Sequence, residues 1–262
     1  MAVPFGFVER KSRRHFAWVR SDLQTLDAAL LWAVPTPLAA ARGRGGVGTL
    51  QLGSGLVAVA RPFRRGGAFG KVLGDRYQGP ARVCREVSVL CALRELGVPV
   101  VTPLAALAQR PRTFWRLRLL TALEASALPL PEFCRVESKA RRWAIEAAGV
   151  TVRLAFAAGL LHPDLHPDNL LCSLHGEKVR AVLVDLDRAA ILPTLTHARR
   201  DAMLVRMGRY LHRHRARLGN AFSAADHLRF LRALGLDKKT QRATWLRLAA
   251  QLHRALRRRR LI

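Results

Sequence analysis

The segment LLHPDLHPDNLLC, residues 160–172, sets His162, Asp164, His166, Asp168 and Asn169 between pairs of leucines. The flanking leucines call for burial, so the chain has to turn tightly between two core elements and gather its polar side chains at one place. Asp, Asn and Pro are ordinary turn residues, and alone this segment reads equally well as a helix cap. The next stretch of chain narrows the choice. The run KVRAVLVDLD, residues 178–187, is strand-like and closes on Asp185 and Asp187. A buried strand ending in two carboxylates calls for something to offset their charge. The chain has only 18 acidic residues against 45 Lys and Arg, so this clustering of carboxylates is not a product of composition.

The rest of the 262 residues supplies a frame for that loop. From 43 to 121 Gly-rich turns alternate with β-type runs: TLQLGSGLVAVARPF predicts two strands around the Gly53–Gly55 turn, and TFWRLRLLT a third. One helix interrupts them. In ARVCREVSVLCALRELG, Val83, Val87, Leu90 and Leu93 follow helical spacing, and Gly97 with Pro99 ends it. Beyond the connector LEASALPLP, residues 123–131, the patterning is mostly helical. The expected fold class is α+β with two lobes, a small β-rich one over 1–122 and a larger helical one over 123–262, and a cleft between them.

Four cysteines with no CxxC pair predict reduced thiols and neither a disulfide framework nor a zinc site. The first residues lack a signal-peptide core. The most apolar stretch, LDAALLWAVPTPLAAA at 26–41, is too short to cross a bilayer and is broken by Pro35 and Pro37. A soluble or peripheral protein is expected. Its net charge of +27, carried mostly by Arg and spread along the chain, predicts an anionic partner or surface, with an Arg-rich overall composition as the competing source.

The polar residues match the needs of phosphoryl transfer from ATP: a carboxylate near the acceptor hydroxyl, and oxygen ligands for magnesium on the phosphates. H-x-D-x4-N followed by D-x-D supplies them in order. Asp164 would accept or orient the hydroxyl proton, while Asn169 and Asp185 would hold the metal. The same chemistry needs a cover for the phosphates, a cation on the next strand and an acid on a helix to hold that cation. GRGGVG at 43–48 is the candidate cover, with Gly43, Gly45 and Gly46 as nucleotide contacts, although such a run is also a plain hairpin turn. Arg61, in LVAVAR, stands where protein kinases carry the lysine of V-A-I-K, and Glu86 lies in the helix beyond it.

A longer segment sharpens this. ARPFRRGGAFGKVLGDRY at 60–77, with HPDLHPDNLL and VLVDLDRA, resembles the protein-kinase-like lipopolysaccharide core kinases, above all the 3-deoxy-D-manno-octulosonic acid (Kdo) kinases, over roughly residues 40–200. The Arg-Gly-Gly segment is the discriminating part, because H-x-D-L-x-x-x-N and D-x-D are shared with aminoglycoside and choline kinases. The resemblance implies a bilobal protein-kinase-like fold. It also implies transfer of the ATP γ-phosphate, with magnesium, to a Kdo hydroxyl of lipid A-linked core. The implied setting is peripheral, on the cytoplasmic face of a bacterial inner membrane. Asp164, Asn169 and Asp185 match the family motif residue by residue. Two positions depart from the kinase pattern: Arg61 replaces Lys, and Leu186 replaces the aromatic residue usual between the two aspartates.

An anionic glycolipid acceptor accounts for a basic surface better than ATP alone. Arg64 and Arg65, beside Gly66 and Gly67, with His166 and Asp187, are further candidate contacts to acceptor or nucleotide phosphate. A heptose kinase of the same family and a small-molecule phosphotransferase are the nearer alternatives. A +27 surface suits cationic aminoglycosides poorly. No nucleic-acid partner is expected, since the chain has neither zinc-finger spacing nor an aromatic strand motif for stacking bases. The terminal TWLRLAAQLHRALRRRRLI predicts a helix with Trp245, Leu248, Ala249, Leu252 and Leu256 on one face; that pattern suits a membrane-surface helix, but a helix packed on the lobe and solvated outside is the preferred reading.

Overall fold

The computed structural model describes residues 1–38, 46–53, 55–65, 74–218 and 222–258. By internal contacts the chain divides into two units. One comprises Met1–Glu95 with Val101–Glu124, the other Leu96–Val100 with Ala125–Ile262.

The first unit is built on strands β1 (Phe7–Lys11), β2 (His15–Arg20), β3 (Thr36–Pro37), β4 (Gly48–Gln51), β5 (Val57–Pro62), β6 (Pro103–Gln109) and β7 (Arg116–Ala122). They form one sheet in the order β1-β2-β6-β7-β5-β4-β3, antiparallel throughout. Val19, Leu50, Ala58, Ala60, Leu104, Leu107 and Leu120 give the sheet a common apolar core, closed by Leu23 and by Leu31 of the single turn α1 (Ala28–Leu31). Arg118 ties the segment after α1 to β7: its Nη1 donates to the carbonyls of Leu31 (3.0 Å) and Ala33 (2.9 Å), and its guanidinium lies 4.9 Å from the Trp32 ring centroid. The predicted strand pair around Gly53–Gly55 is β4–β5.

Helix α2 (Ala81–Glu95) packs against β6 and β7 and buries Val83, Cys84, Val87, Leu90 and Leu93 at helical spacing. Glu86 falls inside that stripe and is 3% exposed. A carboxylate on the buried face of a helix costs several kcal/mol unless a cation meets it, on the order of the penalty for any desolvated ion. The helix therefore fixes where its partner must be.

In the second unit Leu96–Val100 joins the hairpin β10 (Leu170–His175)–β11 (Lys178–Leu183) through a parallel bridge between Val100 and Leu183. Strand β8 (Leu128–Pro129) extends that hairpin, and β9 (Leu160–Leu161) pairs with β12 (Ala190–Ile191). Around them lie α3 (Leu130–Val136), α4 (Arg141–Ala157), α5 (His197–Arg213), α6 (Arg215–Leu218), α7 (Ala224–Ala233) and α8 (Lys238–Arg257). Helix α4 is the pillar of the unit. It crosses α7 at Gly149, where a Cβ would lie 2.5 Å from Ala233 Cβ and 2.8 Å from the Phe230 carbonyl oxygen, so only glycine fits. Its buried Thr151 donates to the Ala181 carbonyl (2.8 Å), fastening helix to hairpin.

Helix α8 turns Trp245, Leu248, Leu252 and Leu256 toward an apolar cavity of about 400 Å³ shared with α5 and α7. Its apolar face is thus committed to the unit, as expected. No described helix is long and apolar enough to cross a membrane. All four cysteines are free, and burial pushes the thiols of Cys84, Cys91 and Cys134 up to about 12, 11 and 11.

Candidate active site

In the first unit the partner that Glu86 requires is Arg61. From β5 its Nη2 lies 2.5 Å from both carboxylate oxygens, and its guanidinium stands 4.7 Å from the Phe63 ring centroid. Phe63 meets Tyr77 edge to face at 6.4 Å. Arg65 stands 4.9 Å from the Tyr77 ring centroid while its Nε donates to the Arg76 carbonyl (3.0 Å). Arg82 lies over both rings, at 5.6 and 5.5 Å. The two ends of the Arg-rich segment, 61–65 and 74–77, are thus stapled together by alternating guanidinium and aromatic planes. Arg64 is exposed, and Gly46, at φ +97°, approaches it: a Cβ on Gly46 would lie 3.0 Å from Pro62 Cγ and 3.6 Å from Arg64 Nη2. Gly43, Gly45, Gly66 and Gly67 lie outside the described residues.

In the second unit the loop after β9 gathers Asp164, His166, Asp168 and Asn169. His162 is fully buried, with its backbone N–H on Met203 Sδ (3.2 Å). Its Nδ1 accepts the Asp164 N–H (3.3 Å), which assigns the ring proton to Nε2; Nε2 itself is buried without a partner among the described residues. Burial pulls the imidazole down to about 4 against the opposing pull of Asp185 and Asp164, so His162 is neutral at pH 7. A neutral imidazole leaves the negative charge of the two aspartates undiminished. Burial likewise lowers His166, again against the opposing pull of Asp164, Asp168 and Asp185.

Asn169 is buried and donates from Nδ2 to the Asp164 carbonyl oxygen (3.1 Å), while its own carbonyl accepts from Val184 N–H (2.9 Å). Residue 169 therefore joins the Asp164 turn to the stretch that leads into Asp185. The strand expected over 178–187 ends earlier, at Leu183. Leu186 is fully buried and anchors the D-x-D segment, while Asp185 is exposed in a left-handed turn at φ 56°. Asp tolerates that conformation better than most residues, and adopting it turns the carboxylate out of the strand direction. Asp187 is half-buried beside it.

The donor set can be tested for magnesium. No three His, Cys, Asp or Glu side chains among the described residues form a metal cluster. Magnesium does not require one, since it is usually held by one or two carboxylates together with substrate phosphates and water. Asn169 spends its amide nitrogen on Asp164, which leaves its side-chain oxygen as the atom that could meet a cation, and Asp185 would add a carboxylate. The residues fit such an ion.

Sequence reasoning missed one group. Tyr210, on α5, donates to Asp168 Oδ2 (2.6 Å) and stacks on His166, with ring centroids 4.3 Å apart and planes 14° from parallel. Arg217 Nη2 reaches the same Oδ2 (2.8 Å) and the Tyr210 hydroxyl (3.0 Å). No local spacing signals a partner 42 residues away.

The model of the lipopolysaccharide kinase (Kdo/WaaP) family matches residues 32–234. Among curated relatives, the chain is 33% identical over 159 residues to the 3-deoxy-D-manno-octulosonic acid kinase of Vibrio vulnificus strain CMCP6, covering 59% of this chain and 66% of that one. It is 29% identical over 180 residues to the enzyme of the same name from Xanthomonas oryzae pv. oryzae strain PXO99A, covering 66% and 70%. The match to the Vibrio protein thus stops just short of two thirds of its length. Among solved structures, WaaP in complex with acyl carrier protein superposes with a TM-score of 0.54 at 19% identity, covering 90% of both chains. The fold is the expected α+β, bilobal, kinase-like one. With its family model spanning most of its length, the chain belongs to the lipopolysaccharide kinase (Kdo/WaaP) family.

Proposed function

We propose that the protein is an ATP-dependent lipopolysaccharide core kinase that phosphorylates a Kdo hydroxyl of Kdo-bearing lipid A. The observation that carries the reading is the loop in which the His162 ring and the Asn169 side chain fix the backbone of Asp164, with Val184, next to Asp185, bonded to the Asn169 carbonyl. Asp164 orients the sugar hydroxyl and takes its proton as the γ-phosphoryl group is transferred. Asn169 Oδ1 and Asp185 hold magnesium, which when bound neutralises phosphate charge. Arg61, oriented by Glu86 and Phe63, is the cation for the nucleotide phosphates, and Gly43, Gly45 and Gly46 belong to the nucleotide cover.

The names of the curated relatives support Kdo as the acceptor, and the net charge of +27 supports an anionic glycolipid at a membrane surface. Arg64 and Arg65, His166 and Asp187 are candidate contacts to acceptor or nucleotide phosphate. The proposed setting is peripheral, on the cytoplasmic face of a bacterial inner membrane.

The test is an acceptor panel. Kdo-bearing lipid A, a heptosylated core, choline and an aminoglycoside are offered with magnesium and γ-labelled ATP. Label confined to the Kdo-bearing glycolipid is expected. Preference for the heptosylated core or for a soluble alcohol would overturn the acceptor assignment.

A further inference from the structure

Helix α5 and the turn α6 reach back to the catalytic loop at three points. Met203 takes the His162 N–H, Tyr210 lies flat on His166, and Tyr210 and Arg217 share Asp168 Oδ2. His214 also lies against Tyr210, with ring centroids 4.3 Å apart and planes tilted by 47°. These anchors fall at positions 162, 166 and 168, so they bracket Asp164 and adjoin Asn169, while the carboxylate of Asp164 itself is left exposed. The Tyr210–Asp168 contact, at 2.6 Å, has the length of a charge-assisted O–H···O⁻ bond. Asp168 is 15% exposed, so this bond is far less screened than a surface ion pair.

We propose that Tyr210 and Arg217 are positioning residues for phosphoryl transfer, clamping the loop through Asp168 and His166 so that Asp164 and Asn169 are held in register. This rests on the kinase reading. The physical reason is leverage: a displacement of the order of 1 Å in a reacting group costs roughly a hundredfold in rate, and Asp164 is exposed and not held by surrounding packing. The clamp acts mainly on turnover, because Tyr210, Arg217 and Asp168 lie outside the proposed nucleotide cover and its cation; its effect on nucleotide affinity, through His166 and Asn169, is the smaller one.

The experiment combines steady-state transfer to Kdo-bearing lipid A with amide hydrogen exchange over residues 163–169. The unaltered chain is compared with Tyr210→Phe, which keeps the stack and loses the hydroxyl, and with Tyr210→Leu, Arg217→Ala and Asp168→Asn. Tyr210→Leu and Asp168→Asn are expected to lower kcat by about 10- to 100-fold with KM for ATP within about threefold, and Tyr210→Phe by less. All should speed exchange in the loop, and adding Tyr210→Phe to Asp168→Asn should cost little more, since both remove one bond. Arg217→Lys should recover part of the Arg217→Ala loss. Circular dichroism confirms that each variant is folded. A kcat within about twofold of the unaltered chain for both Tyr210→Phe and Asp168→Asn, or independent multiplication of their effects, would overturn the clamp. Absence of transfer by the unaltered chain would overturn the kinase reading instead. Loop exchange, read without substrate, then decides the clamp alone: unchanged exchange in Tyr210→Leu removes it.

Discussion

In the first unit the carboxylate of Glu86 is buried and bonded to Arg61, whereas in the second Asp164 stands exposed and is fixed through its peptide N–H and carbonyl. The difference separates two ways of holding charge. An ion pair inside a packed helix–strand interface makes orientation and stability one quantity, because neither partner can leave without stranding the other. A carboxylate steered by its backbone is free of that coupling, and its side chain can be changed while the fold stays as it is. Mutations in the two regions should therefore sort differently between activity and stability.

The largest effect expected is Asp164→Ala, with transfer reduced by about a thousandfold, within the usual range for loss of a general base. Its melting temperature should stay close to that of the unaltered chain; a substantial drop would show that Asp164 is as structural as Glu86. Glu86→Ala should behave oppositely in stability. It is expected to cost about 2–3 kcal/mol in urea unfolding, below the range for breaking a fully buried pair because the Arg61 side chain is 23% exposed. A stability loss near zero would dissolve the contrast.

His162 sharpens the comparison through pH. Its folded value, about 4, lies below the ordinary 6.5, so the unfolded chain binds more protons between those values. Its contribution is complete above about pH 6.5 and is lost as pH falls toward 4, up to about 3 kcal/mol. Urea unfolding at pH 7, 5.5 and 4.5 should show that slope, and His162→Gln should flatten it. The smallest effect expected is Arg61→Lys, which keeps the charge and loses the guanidinium plane over Phe63. A fewfold rise in KM for ATP, with kcat nearly unchanged, is the expected result; loss of all transfer would mean that the guanidinium itself is required.

The sequence discloses these regions unevenly. The loop at 162–169 was legible because its determinants are local, a polar cluster between leucines followed by a strand, and the Arg61–Glu86 pair because its members stand in the order phosphoryl transfer needs, a cation on a strand and an acid on the helix beyond it. The end of β11 was not, since VLVDLD alternates like a strand and only the left-handed turn at Asp185 interrupts it. Strand β6, PLAALAQ, carries no β-branched residue and begins with proline, yet it lies between β2 and β7 with nearly every residue buried. Small side chains suit that position, and tertiary context outweighs propensity there. The sequence does not announce the hairpin β1–β2, since both strands are short and FVERK is rich in charge. Tyr210 was invisible because its partner is set by the packing of α5 on the loop.

Single-turnover transfer of labelled phosphate from ATP to Kdo-bearing lipid A, with folded Asp164→Ala and Asp185→Ala proteins alongside the unaltered chain, tests the central claim most directly. Label is predicted in the glycolipid with the unaltered chain and with neither variant, at unchanged melting temperature for Asp164→Ala. Transfer by Asp164→Ala at near-normal rate would contradict that claim and move the chemistry away from this loop.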